Sequence, residues 1–168
     1  MLSLRLRATV YTLVIPGFLV GYLPWKLRPL EAVAPLPLSA LFSLFGFLLC
    51  LGGGALLFSA AYYLVRRGDG TPFPLDPPRR MVVAGPYAHI QHPMLVGLFA
   101  MLCGQIVWFP SVHVLLYALF LLLAGRALVL HIEEPALRKR FGEDYVAYQA
   151  AIPRWFPLPA ASGPTDAA

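Results

Sequence analysis

The sequence predicts an all-α integral membrane protein: a helical bundle of about four transmembrane helices with a C-terminal amphipathic helix on the cytosolic face. Three observations support this prediction. Only 12% of the 168 residues are charged, about half the usual share of roughly 25% in soluble domains. The mean hydropathy is +0.70. Residues 8–25, 32–65 and 93–125 contain no charged residue, and a bilayer-spanning helix needs about 17–25 apolar residues.

This composition excludes an ordinary soluble domain, a disordered chain and a nucleic-acid-binding arm. The net charge of +5 is better explained by membrane topology, so we expect no nucleic-acid partner. Cys50 and Cys103 lie in apolar stretches, which argues against a disulfide framework or a CxxC zinc site. The N-terminal apolar run ends in bulky residues without a small-residue cleavage site, so we interpret it as a retained first span.

We expect a single domain over residues 1–157, with spans at about 8–24, 38–65, 92–109 and 111–132. Pro16-Gly17 predicts a kink in the first span. The last uncharged stretch would be about 50 Å long as one helix, so Pro110-Ser111 is expected to divide it. Segment 66–92 is too rich in proline and glycine to be one helix, and the tail 158–168 is predicted to be disordered.

An amphipathic helix is predicted over residues 135–151, because apolar side chains recur at steps of three and four. Basic residues then set the topology. With both termini cytoplasmic, the outside holds Lys26 and Arg28, and the inside holds ten basic residues: Arg5, Arg7, Arg66, Arg67, Arg79, Arg80, Arg138, Lys139, Arg140 and Arg154. In a bacterium this membrane would be the plasma membrane.

The first candidate site is the loop that leads into the third span. Gly85-Pro86 indicates a turn, and Pro93 suits the first turn of a helix. His92 would therefore lie beside free backbone N–H groups at a helix N-terminus, which favours an anionic ligand. The alternative is an interfacial loop with two surface histidines, His89 and His92.

The second candidate site is the end of the last span, with Arg126, His131, Glu133 and Glu134. Arg126 and Glu133 are seven residues apart, so a regular helix places them on one face. An arginine within a span usually faces a cavity or partner, although it can also snorkel to the interface. The two glutamates could equally be solvated. No metal site is predicted, since His89 and His92 alone are a weak signal for haem or metal.

The chain also resembles a known enzyme family. Gln91-His92-Pro93-Met94 and the segments before it resemble the central motif of the isoprenylcysteine carboxyl methyltransferases, which share features with the phospholipid N-methyltransferases. A C-terminal motif follows in the same order. The residues that carry the resemblance are Gly70 to Pro74, Pro77 to Val83, Gly85 to Tyr87, Gln91 to Met94, Glu133 to Leu137, Phe141 to Tyr145, Tyr148, and Pro153 to Trp155.

The resemblance implies a membrane enzyme that uses S-adenosylmethionine without a Rossmann domain and methylates a lipophilic small molecule, a lipid or a lipidated acceptor. For such a transfer, Arg126 or Arg154 can hold an acceptor carboxylate, and Glu133 or Glu134 can complement the positive groups of the cofactor. The candidate catalytic residues are Arg126, Arg154 and Glu134. The implied cofactor-binding residues are Tyr87, His89, Gln91, His92, Pro93, Glu133, Glu134, Tyr145 and Tyr148.

Two positions depart from the family pattern. The family usually has a basic residue where Gln91 stands and often has Tyr where Leu95 stands. A carboxylate and an amine both remain possible as the methyl acceptor. The competing hypothesis is a non-enzymatic membrane protein that binds haem, a metal or lipid.

Overall fold

The computed structural model describes residues 4–27, 39–69, 78–108 and 110–155, and within them it contains helices and no strand. This confirms the all-α prediction. The predicted tail at 158–168 and motif residues 70–77 lie outside the described residues. The elements are α1 Leu4–Pro16, a first π-helical segment Gly17–Tyr22, α2 Leu23–Leu27, α3 Ser39–Gly68, a 3-10 turn Gly85–Ala88, α4 Pro93–Trp108, α5 Val112–Leu128, a second π-helical segment Val129–Glu133, α6 Glu134–Phe141 and α7 Glu143–Ala151.

Three helical stretches within the described residues are long and apolar enough to cross a membrane: Val10–Leu27, Ala40–Gly68 and Val112–Phe141. Helix α4 is apolar but has 16 residues, so it extends only about 24 Å, less than the roughly 30 Å hydrocarbon core. Large apolar side chains lie exposed along α3 and α5. An outer surface of this kind requires a bilayer, so the chain is a helical membrane bundle.

Helices α3 and α4 pack closely because glycines face each other at two levels. A Cβ atom on Gly53 would lie 2.5 Å from the Gly97 carbonyl oxygen, and one on Gly97 would lie 2.6 Å from the Gly53 oxygen. Gly46 and Gly104 repeat the arrangement two turns away. Small residues of this kind allow membrane helices to approach at backbone distance. The contact fixes where α4 begins relative to the end of α3.

The first span is irregular at the predicted kink, since α1 ends at Pro16 and the π-helical segment follows. Side chains from two other helices bind carbonyl groups of this segment. The Gln105 amide donates to the Val20 oxygen, and the Tyr117 hydroxyl donates to the Leu19 oxygen at 2.8 Å. Val20 also packs in a core cluster on α4 and α5. Polar and apolar contacts therefore hold the first span to the bundle.

The C-terminal half turns back over one end of the bundle. Helix α5 passes through the second π-helical segment into α6 without a turn. The amphipathic helix expected over 135–151 is divided at Gly142, whose φ is +57°, a backbone conformation that suits glycine. Helix α7 then packs beside α6 and leads to Arg154 and Trp155.

Candidate active site

The first wall of the site is the turn that precedes α4. Gly85 has a φ of +61°, and any Cβ atom there would overlap the Tyr63 ring of α3. A glycine is therefore required both by the backbone and by the contact. The N–H groups of His89 and Ile90 both donate to the Pro86 oxygen at 3.1 Å. The turn places His92 directly before the first residue of α4, a position called here the mouth of α4, and His92 is buried there.

The second wall is the junction between the second π-helical segment and α6. It presents two successive carboxylates to His92. The Nδ1 atom of His92 lies 3.5 Å from Oε1 of Glu133, and its Nε2 atom lies 3.7 Å from Oε1 of Glu134. Glu134 is buried, whereas the Glu133 side chain is 44% exposed. The imidazole thus lies between one buried and one accessible carboxylate.

Arg154 binds the buried carboxylate from the other side. Its Nε donates to Oε1 of Glu134 at 2.9 Å, and its Nη2 donates to Oε2 at 3.1 Å. Such a bidentate pair is strong and fixes geometry. The Trp155 ring lies 5.5 Å from the His92 ring, centroid to centroid. The segment after α7 therefore closes one side of the site.

Three tyrosines form the remaining side. The Tyr148 hydroxyl donates to the Tyr87 carbonyl at 2.8 Å, and the Tyr145 ring lies 6.2 Å from the Tyr148 ring. Burial, reinforced by the Glu134 and Glu133 carboxylates, raises the pKa of Tyr145 to about 12. Burial likewise raises the pKa of Tyr87 and of Tyr148. All three hydroxyls therefore keep their protons at neutral pH and can donate hydrogen bonds.

Gln91 joins the turn before α4 to the chain at the end of α7. Its backbone N–H donates to the Pro153 oxygen at 2.9 Å. Its side-chain amide donates to the Ile152 oxygen and, at 3.3 Å, to the Gln149 oxygen. The side chain is buried. The structure thus places Gln91 as a clamp between the mouth of α4 and the chain that carries Arg154.

The structure brings together most of the site residues that the sequence singled out. They are Tyr87, Gln91, His92, Pro93, Glu133, Glu134, Tyr145, Tyr148 and Arg154. His89 is exposed at the edge of the turn, and Arg126 and His131 are exposed on the helix that leads to the glutamates. The expectation that Arg126 shares a face with Glu133 assumed a regular helix. A π-helical segment separates the two residues, and its wider turns shift the register.

Two contacts were missed by sequence reasoning. Tyr63 supports the turn at Gly85, and no local pattern in α3 distinguishes it from a packing residue. Trp155 entered the sequence analysis only as part of the C-terminal motif, whereas its ring lies beside His92. No pattern in the sequence pairs these two residues.

Four buried side-chain atoms among the described residues have no hydrogen-bond partner: Oε1 of Gln91, Nε2 of His92, the hydroxyl of Tyr145 and Nε2 of Gln149. Buried polar atoms in folded proteins are nearly always paired, so such exceptions point to a ligand or an ordered water. No group of three or more His, Cys, Asp or Glu able to hold a metal occurs in the described part of the chain.

A family model described as phospholipid methyltransferase matches residues 41–144. The match covers well over half of the chain and includes α3 to α6 with His92, Glu133 and Glu134. Tyr145, Tyr148 and Arg154 follow directly after it. No curated protein and no solved structure matches the chain. The family match and the apolar helices agree on one conclusion: the chain belongs to the phospholipid methyltransferase family, a family of membrane methyltransferases.

Proposed function

We propose that this protein transfers a methyl group from S-adenosylmethionine to a lipophilic acceptor held in the membrane. The observation that carries the proposal is the arrangement at the mouth of α4. There a buried histidine, His92, lies between the arginine-paired Glu134 and the half-exposed Glu133. The arrangement lies at the end of apolar helices, where a polar cofactor and a membrane acceptor can meet.

The residues present fit S-adenosylmethionine. Glu133 has no Lys or Arg ion-pair partner among the described residues, so its carboxylate is available to the ammonium or ribose hydroxyls of the cofactor. The unpartnered Tyr145 hydroxyl and His92 Nε2 can bind further polar groups. The Trp155 ring and the tyrosines offer surfaces for an adenine ring.

In this proposal the protein acts by charge, alignment and exclusion of water. The bound cofactor supplies a methyl group on a cationic sulfur. The accessible carboxylate of Glu133 attracts and orients that cation. The Arg154–Glu134 pair holds the chain after α7 in place, and Trp155 and Tyr145 cover the site. Correct alignment in a site that excludes water is the main requirement for such a transfer.

The geometry favours an amine over a carboxylate as the acceptor. The resemblance offered Arg126 or Arg154 to hold a carboxylate. Arg154 is bound to Glu134 through two hydrogen bonds, and Arg126 is exposed on α5, before the second π-helical segment. The accessible carboxylate of Glu133, which lies 3.5 Å from Nδ1 of His92, instead gives this region a charge that complements a cationic headgroup. A phospholipid headgroup amine has this chemistry, so we propose it ahead of a prenylcysteine carboxylate.

We further propose that the site faces the cytosol. The helix ends around it carry most of the basic residues that set membrane topology. S-adenosylmethionine would enter from that side, and the acceptor would enter from the adjacent leaflet. In a bacterial cell the membrane would be the plasma membrane.

Calorimetry with S-adenosylmethionine tests the proposal on protein in detergent and in lipid. Glu133→Gln and His92→Ala are expected to weaken cofactor binding at least tenfold, because they remove the accessible carboxylate and the central ring. Glu143→Gln is the matched control, since this glutamate is exposed at the start of α7 and should change nothing. Absence of binding by the unmodified protein in both media would refute the proposal.

Transfer of a labelled methyl group identifies the acceptor. The protein is incubated with labelled S-adenosylmethionine and a membrane extract, and the product is separated by class. Label in an amine-containing phospholipid supports the proposed acceptor. Base-labile label in a methyl ester would show instead that a carboxylate is methylated.

A further inference from the structure

A cleft of about 580 Å³ lies between the first span and the other helices. It is distinct from the candidate active site. Its volume falls within the roughly 300–1,000 Å³ of pockets that enclose a small molecule. Residues on its wall include Thr12, Gly17, Gly21, Leu57, Met101 and Trp108.

The cleft runs along most of the length of α4. His92 stands just before Pro93, where α4 begins. Met101 is eight residues after Pro93, about 12 Å along the helix at 1.5 Å per residue. Trp108 is about 22 Å from Pro93 along the same helix. Leu57 on the wall packs against Gly97, only four residues after Pro93, so the cleft extends from the first turns of α4 to the end opposite the active site.

The cleft is open because small residues line the first span. A Cβ atom on Gly17 or Gly21 would meet no atom within 4 Å. Between α3 and α4, by contrast, Gly53 and Gly97 face each other at backbone distance. Glycine therefore allows close packing between α3 and α4, whereas along the first span it leaves space beside the helix.

The wall offers few polar partners to a bound water. The Gln105 amide on the wall is bound to the Val20 carbonyl, and none of the buried side-chain atoms without a partner lies there. A buried water needs about two to four polar partners. Since the wall is mostly apolar and the cleft opens to the lipid-facing surface, an apolar occupant suits it best.

We propose that the cleft binds one acyl chain of a phospholipid from the leaflet opposite the active site. The cleft is continuous with the lipid-facing surface, because Leu13, Phe58 and Trp25 on its wall are exposed. Trp25 and Trp108 mark its outer end, and tryptophan prefers the headgroup level of a membrane. The chain enters between them and runs past Met101 toward Leu57. This lipid is separate from the methyl acceptor, which enters at the other end.

Photocrosslinking in vesicles tests this proposal. Two phosphatidylcholine probes carry a diazirine either beside the ester or at the end of one acyl chain, and labelled peptides are identified by mass spectrometry. The ester-side probe is expected to label the Trp25 and Trp108 end, and the chain-end probe to label Met101 and Leu57. Equal labelling of the exposed α5 face, or the reverse order along the cleft, would overturn the proposal.

Filling the cleft gives a second test with a matched control. Gly21→Phe places a ring in the open space and is expected to reduce cleft labelling at least fivefold. Gly52→Phe also adds a ring where a Cβ meets no atom, but Gly52 is not on the cleft wall and labelling should be retained. Both variants should keep the thermal unfolding midpoint of the unmodified protein in detergent, a check on folding that does not depend on cofactor binding. Unchanged labelling of Gly21→Phe would overturn the proposal and leave the proposed enzyme function intact.

Discussion

Replacing Gln91 by methionine is expected to weaken cofactor binding while the maximal turnover is kept. The buried amide of Gln91 donates to the Ile152 and Gln149 carbonyls, and methionine has similar length without a donor. Each hydrogen bond contributes about 0.5–1.5 kcal/mol net. Losing both bonds should therefore make the docking of residues 149–155 against the turn before α4 less favourable by about 1–3 kcal/mol. This corresponds to a decrease of roughly 5- to 150-fold in the docking equilibrium constant.

The effect should appear in KM more than in kcat. If only the docked arrangement binds the cofactor, the apparent dissociation constant rises in inverse proportion to the docked fraction. A saturating cofactor concentration restores docking, so kcat recovers. Steady-state kinetics over a range of S-adenosylmethionine concentrations gives both constants. Hydrogen exchange of residues 143–155 should rise in the free variant, because local opening is reported by that measurement.

Two further variants separate the clamp from general packing. Gln105→Met removes the same kind of bond, from a glutamine amide to the Val20 carbonyl, at the far end of the bundle. Its cofactor KM should stay unchanged. Gln91→Arg supplies N–H donors again and should restore part of the lost affinity. The reasoning is refuted if Gln91→Met leaves KM and hydrogen exchange unchanged, or if it lowers kcat alone.

Three other predictions concern stability. Gly97→Ala should lower the free energy of unfolding by about 1–3 kcal/mol through overpacking, measured by thermal unfolding in detergent, whereas Gly52→Ala should not, since its Cβ meets no atom. In a double-mutant cycle, Arg154→Met and Glu134→Gln should show a coupling free energy of about 1–3 kcal/mol in protein stability. If their losses of stability simply add, the two hydrogen bonds make no net contribution. Tyr145 has a pKa raised from 10.0 to about 12. Between these pH values the unfolded chain binds fewer protons than the folded protein, so stability should fall as pH rises. Tyr145→Phe should make that fall shallower, and an unchanged slope would contradict the assignment.

The fold class could be predicted from the sequence because it depends on the long uncharged stretches. The start of α4 at Pro93 was also predictable, since proline fits a first helical turn. The clamp formed by Gln91 was not, because it joins residues about sixty positions apart through backbone carbonyls that any sequence would provide. The same limit applies to the contact of Trp155 with His92.

The two π-helical segments explain why periodicity was a poor guide to the site. The sequence analysis treated Arg126 and Glu133 as neighbours on one face of a regular helix, but Val129–Glu133 is π-helical. The irregular turn comes directly before α6, and Glu133 and Glu134 both approach the imidazole of His92. A regular helix separates successive side chains by about 100° around its axis, which works against such convergence. This π-helical segment breaks the 3.6-residue periodicity on which the sequence analysis relied. It lies directly beside the candidate site, and π-helical turns often occur at functional sites. We therefore expect that a one-residue deletion within Val129–Glu133 would restore a regular helix, separate the two carboxylates from His92 and abolish cofactor binding while membrane insertion persists.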